Sequence, residues 1–469
     1  MSGLPRQFWW LWTSTLVNRL GGFVATFLAL YLTAQRGYSP SYAGLVAALY
    51  GLGGAGGAVL GGVLADRIGR RITLLTAQVG AAAATAVLGL VTAPLAVAAV
   101  AALLGLVGNA SRPALSAMIS DLVPPEDRVR AFSLNYWAIN IGFGVSAAVA
   151  GFVAAEGYLW LFLGDAVTTL LCALVVFAKV RETLPNDVPS AAPNAAPSTA
   201  PRAAPHATSG AAPGRRAART AAAGKRDPRT TTGPARPITL ADVARDRRFM
   251  AVVGLTFLVG AVMQQGSSTL AVDMGADGYS ARQYGLVIAL NGLVIVLLQI
   301  PLTRALRSRS AAGLLATGSL LMAWGFGATA FAGSVAVYAL TVVIWTVGEI
   351  VHAPASMSVV ADLAPASARG RYQGMFSLSW SAAAFAGPLA GGVTLDHLGR
   401  GAVWWGCAAV GTLAGAGYYG LLRTRTSPLL AEVPAPAAPL LAEVPAPAAP
   451  LAAQTPTPVA PTGNDLDPV

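Results

Sequence analysis

The sequence predicts an all-α membrane protein of twelve transmembrane helices, arranged as two pseudo-symmetric six-helix bundles. Three observations carry this. Hydrophobic residues make up 55% of the chain and charged residues 11%, against about 25% charged in soluble domains. Twelve apolar windows of roughly twenty residues punctuate it, the length that crosses a bilayer as a helix. One constant offset of 241 residues relates its two halves.

The windows fall at about 8–33, 43–64, 72–92, 95–119, 131–154, 158–178, 249–271, 283–303, 311–331, 334–360, 372–394 and 402–422. Helix is the only option for segments this long, because hydrocarbon offers backbone groups no partner. Span 1 opens on Trp9, Trp10 and Trp12, an expected interfacial belt. It then carries Asn18 and Arg19 near mid-depth. In span 2, Gly53, Gly57 and Gly61 recur every fourth residue, as do Gly54, Ala58 and Gly62. Such stripes let another helix approach closely.

Spans 2 and 3 are joined by Asp66-Arg67-Ile68-Gly69-Arg70-Arg71, a charged turn that must face water. Asp66 is placed to accept from a helix N-terminus, and Asp121 at the end of span 4 is the expected partner of the arginines. Span 4 also holds Asn109 and Arg112, span 5 Asn140, and span 6 Asp165, which is expected to reach the outer interface. In the second half, span 7 holds Gln264 and Gln265, span 8 Asn291, and span 10 Glu349 and His352. Trp404 and Trp405 begin span 12 as an outer aromatic belt.

Intramembrane ionisable residues are costly and therefore functional candidates. Glu349 is the first choice as proton carrier. His352, three residues on, is placed on the same helical face to share or relay that proton. The bland alternative is a structural pair that never titrates. Arg19 and Arg112 either tune that carboxyl, bind an anionic group of the substrate, or serve structure.

The domains read as 1–182, a first six-helix bundle; 183–247, a disordered linker; 248–426, a second bundle; and 427–469, a disordered tail rich in proline and alanine. The linker's Ala, Pro, Ser, Thr and Arg cannot bury a core. The tail repeats PLLAEVPAPAA twice. The 241-residue offset aligns Gly37-Tyr38-Ser39 with Gly278-Tyr279-Ser280, Pro113 with Pro354, Asp121 with Asp362, Arg128 and Arg130 with Arg369 and Arg371, and Gly151 with Gly392.

Net charge is +11, but its distribution speaks for topology and against nucleic acid. Of 31 Lys and Arg, 26 fall in the termini and even-numbered loops, and only Arg36, Arg282 and Arg400 in odd-numbered ones. Both termini are thus expected to be cytoplasmic. Cys172 and Cys407 lie inside spans, so no disulfide framework is implied, and no histidine pair has metal-ligand spacing. The sequence offers no nucleophile–base constellation, so it does not point to an enzyme.

The pattern G-x-x-x-D-R-x-G-R-R at Gly62, Asp66, Arg67, Gly69, Arg70 and Arg71 closely resembles the loop 2–3 signature of the major facilitator superfamily (MFS) of secondary transporters. The resemblance covers everything but linker and tail. It implies two parallel six-helix repeats, alternating access, and a cytoplasmic latch made by this loop with Asp121 that favours the outward-open state. The matching second-half loop keeps Arg304, Arg307 and Arg309 but lacks the aspartate, so the latch is asymmetric. Similarity to the drug/proton antiporter subgroup is partial. The subgroup's span 4 arginine position falls at Ala101, with Arg112 eleven residues later. Its span 5 Gly-Pro motif is absent here, although span 11 reads Gly387-Pro388-Leu389-Ala390-Gly391-Gly392.

The function these readings favour is proton-coupled efflux of small amphipathic or hydrophobic molecules across the cell membrane. The protein is expected to act as a monomer, driven by the proton gradient with no cofactor. The alternatives are proton-coupled uptake of a metabolite, or a non-transporting membrane sensor of the same fold.

Overall fold

The computed structural model describes residues 3–183, 239–365 and 368–423. The tail and most of the linker lie outside the described residues. The elements are all helical, with no strand among the described residues. Its α-helices are α1 (Arg6–Leu20), α2 (Val24–Leu30), α3 (Pro40–Arg67), α4 (Arg70–Leu90), α5 (Pro94–Leu122), α6 (Arg128–Glu156), α7 (Tyr158–Lys179), α8 (Leu240–Arg245), α9 (Arg247–Met263), α10 (Thr269–Ala276), α11 (Ala281–Ala305), α12 (Ala311–Ala328), α13 (Val335–Leu363) and α14 (Arg369–Leu422).

Among the described residues, ten helical spans are long and apolar enough to cross a membrane. Beyond these ten, α14 runs through both windows expected as spans 11 and 12. Its helix is interrupted at Gly399, whose φ of 79° lies in the left-handed region that glycine enters without strain. Helix starts follow local chemistry. Ser39 accepts from the Tyr42 amide ahead of Pro40 at the first helical position, and Ser280 and Gln283 form a reciprocal capping box before α11.

The structure departs from the expected continuous spans twice. Span 1 breaks between α1 and α2 at Gly21–Phe23. Span 7 breaks between α9 and α10, where Gln264–Gly266 form a 3₁₀ turn. Near the end of the stretch expected as linker, Thr239 and Asp242 cap α8 reciprocally and bury Val243 against Phe249, Tyr372 and Phe376. The T-x-x-D spacing is the capping signal that composition alone conceals.

Two seams join residues before the linker to residues after it. In one, Gly44 of α3 lies against Pro388 and Gly392 of α14, and Gly51 against Ala384. In the other, Gly144 of α6 faces Gly292 of α11, while Gly285 meets Ala147 and Gly151. Backbone meets backbone in both. The rings of Phe27 and Tyr284 extend the contact, 5.2 Å apart, and the Tyr284 hydroxyl donates to the Thr26 carbonyl at 3.2 Å. By chain direction these contacts lie toward the membrane face opposite the Asp66–Arg71 loop. The stripe Gly53, Gly57 and Gly61 has a different partner. It packs on the backbone of α5 at Ala102, Leu106 and Ala110, holding neighbouring helices of the first half together.

Candidate functional site

The break in span 1 is built by residues from two helices. Gly21 has no room for a side chain, because Thr168 of α7 occupies that space. Past the break, the Val24 amide donates to Asp165 Oδ2 at 3.2 Å. The Asn18 amide donates to Thr169 Oγ1, which donates in turn to Asp165 Oδ1, each at 3.3 Å. Asp165 therefore does not reach the outer interface as expected. It turns inward and satisfies a backbone group that the interrupted helix leaves without an intrahelical acceptor. The sequence signal was Gly21-Gly22 inside an apolar window, which a hydropathy average passes over.

Arg19 and Arg112 share the space beside this break. Two adjoining cavities of about 290 and 140 Å³ are both lined by Asn18, Arg19, Gln78, Ser111 and Arg112. The larger runs past Ser14, Leu115, Ser116 and Asn135; the smaller reaches Tyr50 and Asp165. At 1.5 Å per residue, Ser14 and Ser116 place the larger cavity between mid-span and the arginine-rich face. The structure thus brings together Asn18, Arg19 and Arg112, with lining from α1 to α7.

Glu349 lies elsewhere. It lines neither cavity, and its carboxylate accepts from Asn291 Nδ2 at 3.1 Å. The same amide donates to Thr346 Oγ1 at 3.0 Å. Tyr136 of α6 stands close enough to feel the Glu349 charge. Asn140 is turned back on its own helix, donating to the Tyr136 carbonyl at 2.9 Å. His352 does not join Glu349. It is buried against Gly318 and the Tyr418 ring, 5.6 Å between centroids, and its Nε2 has no hydrogen-bond partner among the described residues. Three-residue spacing left the two side chains facing different neighbours, so the expected relay between them is absent. Gln264 contributes its carbonyl to Ser267 and Ser268; the working amide of that turn is its neighbour Gln265.

At the arginine-rich loop, Arg70 pairs with Asp121. The N-terminus of α4 is capped by Glu182, which accepts from the amides of Arg70 and Arg71 at 3.0 Å each. This corrects the expectation for Asp66. It is exposed, and among the described residues no hydrogen bond or ion pair reaches its carboxylate. Arg71 donates to the Phe177 carbonyl at 2.6 Å and lies over the Phe177 ring. Arg67 is exposed, and Gly62 sits beside Pro113.

A further polar cluster at the opposite face was not anticipated. Arg400 donates to Asp277 at 2.6 Å, to Asp273 at 3.2 Å, and to the carbonyls of Thr329 and Ala332. Burial works against its charge, but Asp273, Tyr338 and Asp277 outweigh that and hold the guanidinium above its ordinary pKa. Trp404 is not in an aromatic belt. It is fully buried and donates to Asp273 at 3.2 Å, while Trp405 remains exposed.

The model of the Major Facilitator Superfamily matches residues 11–357 and 257–460. The chain is 27% identical over 405 residues to the MFS-type transporter YttB of Bacillus subtilis (strain 168), covering 84% of this chain and 90% of that protein. It is 24% identical over 155 residues to the multidrug resistance protein MdtH of Salmonella paratyphi B, a match to 33% of this chain and 39% of that protein. Among solved structures it is similar in fold to the nucleoside transporter NupG, with a TM-score of 0.69 at 13% identity over 89% of this chain and 100% of that one. With one family model spanning both halves and relatives named as transporters, the chain is a multi-pass membrane transporter and belongs to the Major Facilitator Superfamily.

Proposed function

We propose that the protein exports small amphipathic molecules from the cytoplasm in exchange for protons, by alternating access. The observation that carries this reading is the pairing of backbone seams toward one face with a polar, charged cavity running toward the other. A transporter that loads from the cytoplasm needs that combination: one side sealed, and a wet site reachable from the other. The partial similarity to MdtH, whose name is multidrug resistance protein, supports export.

In this reading α1–α2 and α9–α10 each count as one interrupted span, and α14 counts as two. That makes twelve spans in two bundles, 1–182 and 248–426, with both termini cytoplasmic in the plasma membrane. Arg70 and Asp121 are already paired, so the exposed Asp66 is the part of the loop left to engage when the cytoplasmic face closes. Glu349 is the leading proton carrier, a carboxyl held by a single amide between α11 and α13. Asp165 is the second candidate.

A panel of amphipathic fluorescent compounds offered to energised inside-out vesicles tests the reading. Export by proton exchange requires accumulation of a compound inside the vesicles with release of vesicle protons. Entry without proton release removes the coupling, and binding without flux removes the transporter mechanism.

A further inference from the structure

The cavity beside the span 1 break holds more positive charge than its own side chains balance. Arg19 and Arg112 face each other closely enough to repel, and Asp165 is the carboxylate within reach of Arg19. Both oxygens of that carboxylate are already engaged, one by the Val24 amide and the other by the Thr169 hydroxyl. Neither guanidinium donates a hydrogen bond to any described residue, nor is either in a described ion pair. Arg19 is half-buried and Arg112 exposed, both on the cavity wall. Two arginines and one carboxylate leave one positive charge over. Guanidinium groups that line a cavity and have no acceptor in the protein are placed to hold an oxyanion that enters it.

The rest of the wall describes that ligand. Asn18, Gln78 and Ser111 are neutral polar groups around the guanidinium heads, able to meet the second oxygen of an oxyanion. Leu74, Leu115 and Ile139 form an apolar side in the larger cavity. Its volume of about 290 Å³ stands at the lower end for small-molecule sites, about 300 Å³ upward.

We propose that this cavity is the substrate site and that it takes singly charged organic anions, the oxyanion bound between Arg112 and Arg19 and an apolar body lying on Leu74, Leu115 and Ile139. The inference rests on the transporter reading for its physiological sense, but not for its test. It narrows the substrate class from amphipathic molecules in general to amphipathic anions. A carboxylate and a phosphate monoester share the required chemistry. The single excess charge favours the carboxylate.

The test uses the full-length protein in detergent micelles at pH 7, with matched probes: 1-naphthoate, its neutral analogue 1-naphthamide, and 1-naphthyl phosphate. Binding is read by calorimetry. The expected result is that 1-naphthoate binds roughly tenfold to a hundredfold more tightly than 1-naphthamide, the range for hydrogen bonds to a charged group. Arg112→Gln should erase that preference, and Arg112→Lys should retain part of it. Arg112 opens on the cavity, so both variants are expected to fold; Arg19→Gln should act in the same direction. A dominant preference for 1-naphthyl phosphate assigns the site to dianions and overturns the single-charge form. Equal binding of acid and amide, no binding of any anion, or a preference unchanged in Arg112→Gln and Arg19→Gln overturns the proposal outright. Flux in proteoliposomes separates the two readings. Acid-selective binding without flux removes transport and leaves the anion site; flux of the amide with no preference for the acid does the reverse.

Discussion

Spans 1 and 7 are broken at corresponding places in the two halves, yet the breaks are satisfied by opposite chemistry. In span 7 the repair is neutral and dry. Gln265 is buried, donates to the carbonyls of Ala261 at 3.0 Å and Gly387 at 2.8 Å, and accepts from Thr269. Gly391 of α14 makes room for that amide. In span 1 the repair is ionic and lies beside a cavity. Asp165 comes from another helix and is surrounded by Arg19, Tyr50 and the cavity lining. An amide holds its break at any pH and in any company. A carboxylate holds its break most strongly while charged, and it feels every charge that enters the cavity. One backbone device thus serves as an anchor in the second half and as a responsive joint in the first.

Four experiments press on that contrast, from the largest effect to the smallest. Asp165→Ala removes the acceptor of the Val24 amide and the carboxylate nearest Arg19. Breaking a buried charged arrangement from one side costs about 3–5 kcal/mol, so thermal unfolding in detergent should show the greatest loss of the set. A smaller loss than at Gln265 would dissolve the distinction between joint and anchor. Gln265→Ala strands the Gly387 carbonyl and the Thr269 hydroxyl, and an unsatisfied buried polar group costs about 1–3 kcal/mol. That loss should be the same at pH 6 and pH 8; a strong pH dependence would mean that the span 7 break is not the inert one.

Glu349→Gln keeps the shape and the Asn291 contact, so its stability change should stay under about 1 kcal/mol. Coupled transport should nonetheless disappear. If the pH profile of transport survives, Glu349 is not the carrier and Asp165 becomes the residue to pursue by Asp165→Asn.

The smallest effect concerns Asp396, just before the Gly399 interruption of α14 at the outer face. Ser41, beside it at the start of α3, holds this carboxyl below its ordinary pKa. A lowered pKa contributes to the closed contact above the ordinary carboxylate value of about 3.9, and the contribution fades as pH falls through the lowered value. Spin labels at the start of α3 and beside the Gly399 interruption of α14 should therefore report a constant distance between pH 5 and pH 8, and loosening only in acid. Opening near pH 6 would show that another group governs this end.

Much of the fold was legible because hydropathy sums are robust: every window became helix within a few residues. The breaks were not, because Gly21-Gly22 and Gln264-Gln265-Gly266 barely alter a twenty-residue average. The site was legible as a set of costly residues and illegible as a set of neighbours. Asn18, Arg19 and Arg112 do share a cavity, and Glu349 does meet Asn291. But the direction of His352, the inward turn of Asp165 and the burial of Trp404 are decided by partners far along the chain. Arg400 counted only as a loop charge until Asp273, Asp277 and Tyr338 were placed around it. The loop motif was readable as a pattern, yet the cap of α4 comes from Glu182, 112 residues beyond Arg70.

The glycine seams between α3 and α14 and between α6 and α11 carry a consequence for reversibility. A contact of backbone on backbone excludes water and ions without interlocking side chains, so parting it needs no rotamer to reset. Each atom pair contributes only about 0.1–0.2 kcal/mol of dispersion, and at the glycine contacts themselves, away from Phe27 and Tyr284, little apolar side-chain surface changes environment when the seam parts. The closure can therefore be tight against leakage and still shallow in energy, which suits a wall that must open once in every cycle.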